Sequence, residues 1–360
     1  MKLSLFFEIQ IPKPWTETTE YEAYWNCLEL VDMAEQLGFD TVWLAEHHLL
    51  PEWSHSSAPE VFLGALSQRT SRIKLGHGVV LLPRDFNHII RVAERTAALD
   101  ILSNGRLQVG TGRSVTAMEL LGFEIEPDDS TPMWDEALHL LPRLWTEEKV
   151  SFKGKYYNIP EREVVPKPIQ KPHPPLWVAG TSPGTYKRAG ERGIGMIGFP
   201  LSGGYEDVAS RIKEYRDAIK TCKPAGKFVN NQVATLLPCY VHEDDKRAKA
   251  EARRHDEWVS EWSGKIFSSV ATLHSKEYAY YEDLVKKAES APRPTYEGRL
   301  KDGALIAGDP QQAIDTLERY VETGTDQILC WFRFGGVPQE QAKKSLQLIG
   351  EKVLPRFHQA

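Results

Sequence analysis

Between residues 3 and 332 the chain alternates eight short apolar runs with stretches of helical repeat. The runs span 3–8, 41–45, 73–82, 106–110, 176–179, 194–199, 232–241 and 327–332, and most lack the polar alternation of a sheet that faces water on one side. Strands that are apolar throughout are buried on both faces, which calls for a parallel sheet covered by helices. The helices carry their own marks. Tyr24, Cys27, Leu28, Val31 and Ala34 recur on one face of the first, and Gly38 closes it. A helix near 59–69 follows the second run. Asn87 stands as the cap of the next, whose Ile90, Ala93, Ala97 and Ile101 repeat before Asn104-Gly105. In the last unit Asp309-Pro310 opens a helix, Ile314, Leu317 and Val321 share a face, and Gly324 ends it. Eight strand-helix units predict the α/β class and an eight-stranded (β/α)8 TIM barrel in preference to an open doubly wound sheet. The sheet of a dinucleotide-binding fold would also carry Gly-x-Gly-x-x-Gly after a strand; Gly110-Thr-Gly112-Arg-Ser-Val115 lacks the third glycine.

Two stretches interrupt the repeat. Residues 150–172 hold Tyr156, Tyr157 and four prolines and read as an inserted hairpin and extended connection. Residues 243–305 carry Trp258, Trp262, Phe267, Tyr278, Tyr280, Tyr281 and Tyr296 and are too long for a connection, so they read as a lid-like insertion at the C-terminal rim. The expected organisation is a single domain over 1–360.

The 360 residues are 41% hydrophobic and 26% charged, with a formal charge of −6. This balance gives no basic field for nucleic acid or anionic lipid. No apolar run approaches the ~18 residues of a membrane span. Glu8 breaks the first apolar run too early for a secretory signal. Cys27, Cys222, Cys239 and Cys330 form no Cys-x-x-Cys pair. The expectation is a cytoplasmic protein with a small-molecule partner, no nucleic acid and no membrane.

Strand exits in such a barrel share one rim, where ligands bind. Four exits carry chemistry-bearing groups: Glu46-His47-His48, Gly76-His77-Gly78, Gly112-Arg113-Ser114 and Gly180-Thr181-Ser182. An acid beside two imidazoles suits proton transfer near neutral pH, and equally suits ordinary loop hydrogen bonding. Gly76 and Gly78 leave bare backbone, which admits a flat ring or marks a bulge. Gly180-Thr181-Ser182-Pro183-Gly184-Thr185 joins a strand to a helix, with Ser182 as cap and Pro183 as first helical residue. Free N–H groups and a partial positive charge there favour phosphate, and Arg113 would supply a fixed cation or a surface ion pair. Trp331 and Arg333, at the last exit, are expected to face the pocket, with Arg333 meeting an anionic group or a structural partner.

Four segments in this order, Thr41-Val-Trp-Leu-Ala-Glu-His-His48, Ile73-Lys-Leu-Gly-His-Gly-Val-Val-Leu-Leu-Pro83, Leu99-Asp-Ile-Leu-Ser-Asn-Gly-Arg-Leu-Gln-Val-Gly110 and Pro175-Leu-Trp-Val-Ala-Gly-Thr-Ser182, resemble the bacterial luciferase-like flavin-dependent monooxygenases. The similarity runs over nearly the whole chain and is weakest at 243–305. It implies an eight-stranded barrel using reduced FMN, or a deazaflavin in a sister group. It further implies that reduced FMN and O2 form a flavin peroxide, that one oxygen atom passes to a small organic substrate, and that a separate NAD(P)H-flavin reductase supplies the electrons. A homodimer also follows from the resemblance, and no metal is expected, because Phe6-Phe7-Glu8 offers no His-x-His at the end of the first strand. Residue by residue, it assigns catalysis to His47 with Glu46 as a buried partner. A non-proline cis peptide at Gly78-Val79 would lie under the flavin ring, and Arg113, Gly180, Thr181, Ser182 and Thr185 would bind its phosphate. Gly112 stands where bacterial luciferase has a reactive cysteine and Gly180 where it has a glutamate, so the light-emitting aldehyde reaction is not expected. Three rivals share these residues: a deazaflavin-dependent hydride-transfer oxidoreductase, a metal-dependent barrel hydrolase using Glu46, His47 and His48, and a non-catalytic flavin-binding protein. Hydroxylation, Baeyer-Villiger insertion and desulfonation stay open.

Overall fold

The computed structural model describes residues 1–200, 204–290 and 294–357. Its strands are β1 (Lys2–Phe7), β2 (Thr41–Leu44), β3 (Lys74–Leu81), β4 (Leu107–Gly112), β5 (Val150–Lys153), β6 (Asn158–Arg162), β7 (Leu176–Gly180), β8 (Gly195–Gly198), β9 (Val233–Val241), β10 (Ile306–Gly308) and β11 (Gln327–Trp331). Eight of them, β1–β4, β7–β9 and β11, pair in parallel around a closed ring, with β8–β9 and β11–β1 completing it. This is the expected (β/α)8 barrel. The insertion after the fourth barrel strand forms an antiparallel hairpin, β5 with β6. Residues 243–305 are mostly helical, with helices Asp245–Ala271, Ala279–Ser290 and Tyr296–Lys301. Among the described residues no helix is long and apolar enough to cross a membrane.

Two indoles fill the barrel interior. Trp43 and Trp177 are buried and meet edge to face at 5.3 Å. Each lies over a glycine on a neighbouring strand: a Cβ on Gly76 would stand 2.4 Å from the Trp43 ring, and one on Gly195 2.3 Å from the Trp177 ring. Gly76 therefore makes room for the core and not for a ligand. Farther along β3 the register with β4 shifts between His77 and Val80, and the Gly78–Val79 peptide is cis.

The helix Ile89–Leu102 corrects another expectation. His88, not Asn87, occupies its cap position, and His88 Nδ1 accepts from the Ile90 N–H at 3.3 Å. The Asn87 amide is occupied elsewhere, donating to Glu46 Oε1 at 2.8 Å and to the Leu81 carbonyl at 2.9 Å.

Candidate active site

A cavity opens at the C-terminal ends of the barrel strands, and residues from all four predicted exits line it. Glu46 and His47 come from the β2 exit, Gly78 and Val79 from β3, Arg113 from β4, and Gly180, Thr181, Ser182 and Thr185 from β7. Trp331 also faces it, but Arg333 is not part of the lining. The backbone explains why. β11 ends at Trp331, and Arg333 leads into the short turn Phe334–Gly336, so its guanidinium donates to Gln339 Oε1 at 3.1 Å instead. Burial lowers its pKa.

His47 sits between two carboxylates. Its Nδ1 is 2.9 Å from Glu119 Oε1, and its Nε2 is 3.5 Å from Glu8 Oε2. Glu119 is wholly buried and also accepts from the His48 N–H (2.8 Å), Ser114 Oγ (2.6 Å) and Thr116 Oγ1 (2.8 Å). Burial disfavours the charged imidazolium, yet Glu119 first and Glu8 second override it and push the His47 pKa up to about 9. Burial likewise opposes the Glu119 charge, but His47 and the donated hydrogen bonds hold its carboxyl below the ordinary range. Glu8 has no such set of donors. Burial pushes it up to about 7, with His47 opposing and Glu119 reinforcing the shift. Ile9, which follows Glu8, adopts φ 53°, a left-handed conformation rare for a β-branched residue.

Glu46 is not the hydrogen-bonding partner of His47. Its carboxylate accepts from the Leu81 N–H at 2.8 Å and from Asn87, and it meets His48 Nε2 at 3.1 Å. Glu46 and His47 both lie past the end of β2 at Leu44 and line the cavity, but Glu46 is held by the exit of β3 and by Asn87. Glu8 and Glu119 take that place. Among the described residues no group of three or more His, Cys, Asp or Glu is arranged to hold a metal ion.

The β7 exit has a different chemistry. Ser182 precedes the helix Pro183–Glu191, but its Oγ pairs with Thr185 Oγ1 at 2.9 Å and caps no backbone N–H. Thr181 Oγ1 pairs with the Tyr281 hydroxyl at 2.7 Å. Arg113 donates to Ser130 Oγ at 3.0 Å and to the Glu277 carbonyl at 2.9 Å, and its guanidinium lies 4.2 Å from the centre of the Tyr278 ring. Burial and the nearby charge of Arg113 lower the pKa of Arg188 on the same helix. Among the described residues neither Arg113 nor Arg188 has a carboxylate partner at ion-pair distance. In the cavity wall the guanidinium of Arg113, which has no carboxylate partner, three hydroxyls and a helix N-terminus form a donor set suited to a phosphate dianion.

The profile described as luciferase-like monooxygenase matches residues 1–327. The chain belongs to the luciferase-like monooxygenase family. Within it, the chain is 26% identical to the oxygenase component of the flavin-dependent trigonelline monooxygenase of Acinetobacter baylyi, over 100% of this chain and 96% of that one. It is 34% identical to the F420-dependent glucose-6-phosphate dehydrogenase of Kineococcus radiotolerans, over 89% of each. The crystal structure of the monooxygenase RslO1 from Streptomyces bottropensis superposes with a TM-score of 0.80 at 25% identity, covering 99% of this chain and 100% of that chain. The relatives thus include a flavin-dependent monooxygenase and an F420-dependent dehydrogenase, and this chain is an oxidoreductase of the same family.

Proposed function

We propose that this chain is the oxygenase component of a two-component monooxygenase, taking reduced FMN from a separate NAD(P)H-flavin reductase and using O2 to place one oxygen atom on a small organic substrate. A cytosolic homodimer belongs to the same proposal. The observation that carries it is a single cavity with His47, held between the carboxylates of Glu119 and Glu8, in one part of its wall and a phosphate-type donor set in another.

Reduced flavin, when bound, supplies the electrons that activate oxygen. The chain's own share is binding, orientation, a proton and dryness. Arg113 and the hydroxyls of Thr181, Ser182 and Thr185 would hold the phosphate, with the charge of Arg188 behind them. Gly78 and Val79, which both line the cavity, would carry the ring. His47 keeps a proton on Nε2 at neutral pH, because Glu119 anchors the Nδ1 side and the two flanking carboxylates stabilise the cation. From Nε2 it donates to oxygen as oxygen is reduced. Phe199, Ile266, Phe267 and Tyr281 line the cavity from outside the barrel strands and exclude water, which would divert the oxidising equivalent to hydrogen peroxide.

The 34% identity to an F420-dependent dehydrogenase favours a second reading, hydride transfer with a deazaflavin in the same cavity. Anaerobic titration with reduced FMN and with reduced F420, followed by rapid mixing with O2 under absorbance detection, separates the two. Tight FMN binding with an oxygen-dependent transient supports the monooxygenase. Preference for F420 without an oxygen reaction supports the dehydrogenase, and tight FMN binding without a transient leaves a flavin-holding protein.

A further inference from the structure

The helical excursion at 243–305 reaches the phosphate-type loop with polar groups of its own. Tyr281, on the helix Ala279–Ser290, is 6% exposed and lines the same cavity as Arg113, Thr181, Ser182 and Thr185. Its ring stacks on Phe267 with 5.3 Å between centres, and its hydroxyl meets Thr181 Oγ1 at 2.7 Å. The Thr181 backbone is held from the other side. Arg211, 9% exposed, donates to the Thr181 carbonyl, and Asp207 answers the Arg211 charge at 2.8 Å. Three residues before Tyr281, the ring of Tyr278 lies against Arg113, whose guanidinium also donates to the Glu277 carbonyl.

Two hydroxyls in contact carry two hydrogens, and only one of these can lie between them. Whichever of Thr181 and Tyr281 donates, the other keeps an O–H without an acceptor among the described residues. Burial pushes the Tyr281 pKa up to about 12, so its hydroxyl keeps its proton at neutral pH. Arg113 is likewise underused. A guanidinium has five N–H groups, and those of Arg113 bond only Ser130 Oγ and the Glu277 carbonyl, both neutral. An anion can therefore bind Arg113 without displacing the excursion. It would also give the leftover O–H its acceptor, whereas a neutral group would leave the charge of Arg113 unanswered.

We propose that Tyr281 is a cofactor-binding residue: its hydroxyl and that of Thr181 together donate to the cofactor's phosphate, which is thereby gripped between the barrel and the helical excursion. Because Arg113 keeps its bond to Glu277, a bound phosphate ties the segment 277–281 to the β7 exit more tightly than the protein alone does. The inference rests on the reading of that exit as a phosphate site, and it holds for FMN and for a deazaflavin phosphate alike.

The test pairs binding titrations of the full-length protein with amide hydrogen exchange over residues 277–281, using oxidised FMN and riboflavin, and F420 and its phosphate-free chromophore. Tyr281→Phe keeps the ring on Phe267 and removes only the hydroxyl. It should weaken FMN roughly tenfold, the loss of one hydrogen bond to a charged group, and leave riboflavin level. In the wild type, FMN should slow exchange at 277–281 and riboflavin should not. A Tyr281→Phe variant that binds FMN like the wild type, or that loses riboflavin equally, overturns the proposal. So does exchange that riboflavin slows as much as FMN, an arm that needs no variant and stands even if Tyr281→Phe does not fold. A preference for F420 sinks the oxygenase reading alone, because the same comparison then runs between F420 and its phosphate-free chromophore. No binding of either phosphate-bearing cofactor overturns the proposal as well.

Discussion

The imidazole and the phosphate-type loop share one cavity but are finished to different degrees. At the imidazole, every charge is answered from within the chain: His47 by two carboxylates, and Glu119 by His47, a backbone N–H and two hydroxyls. At the loop, Arg113 has only neutral acceptors and an aromatic face, Arg188 sits near a like charge, and the hydroxyls of Ser182 and Thr185 are spent on each other. A site that moves a proton needs its electrostatics set before the ligand arrives. A site that binds an anion gains most when its cations have nothing else to neutralise them.

The largest effect is expected at the imidazole. His47→Ala should lower kcat by about a hundred- to ten-thousandfold, while the Kd for reduced FMN changes by less than about threefold, because hydrogen bonding there involves only the protein. Turnover at the wild-type rate would remove His47 from the mechanism. Arg113→Ala should do the reverse. A charged hydrogen bond contributes about 1.5–3 kcal/mol, so FMN affinity should fall roughly ten- to a hundredfold while that of riboflavin, which lacks the phosphate, stays level. Equal losses for both ligands would break the contrast between the two regions.

The pH dependence sharpens it. The His47 pKa is raised from 6.5 to about 9, so its favourable contribution to folding is whole below pH 6.5 and is lost as pH rises through about 9. Glu8, raised from 4.5 to about 7, prefers its neutral form in the fold, so the protein loses stability as pH climbs from 4.5 through about 7. Activity that requires the imidazolium should fall above about pH 9. In Glu119→Gln that alkaline limb should move down by about one unit or more, since an opposite charge in contact shifts a pKa by that much. A limb that stays put in the pH–rate profile would mean that Glu119 only supports the loop. Ser182→Ala is the mildest change: losing one neutral hydroxyl, about 1 kcal/mol, should weaken FMN roughly fivefold without touching kcat.

The barrel was legible because parallel strands buried on both faces leave continuous apolar runs: the run 41–45 became Thr41–Leu44, and 327–332 became Gln327–Trp331. β10 escaped because its three residues pair only with the last residues of β9, too few to make a pattern. The residues at strand exits were legible for a topological reason, since a barrel sends all of them to one rim. Their partners were not. Glu119 comes from the short helix Ala117–Gly122 and stands three residues after Thr116, the spacing of a capping box. Such a glutamate ordinarily reaches back to the N-cap backbone; here Ser114, Thr116 and His47 hold its carboxylate instead. Glu8 looked like no more than the end of the first strand, and only the closed ring sets it against a residue 39 positions away. Gly76 and Gly78 looked alike, and a Cβ on either would meet Trp43, 2.4 Å from its ring at Gly76 and 3.1 Å from its Cβ at Gly78, but only Gly78 lines the cavity.

The helical excursion at 243–305 is fastened to the barrel partly through the very groups that suit a phosphate: the Glu277 carbonyl and the Tyr278 ring hold Arg113, and Tyr281 holds Thr181. Its opposite flank stacks Trp258 on Trp53 and packs it against Trp262, and three residues earlier His255 Nδ1 donates to the Gly335 carbonyl at 2.7 Å. One edge of the roof is thus bolted to the phosphate-type loop, and the other to the turn that follows the last barrel strand. A lineage changing its substrate can therefore redraw the tryptophan contacts beyond His255, while the tyrosine edge must be inherited together with the loop it grips.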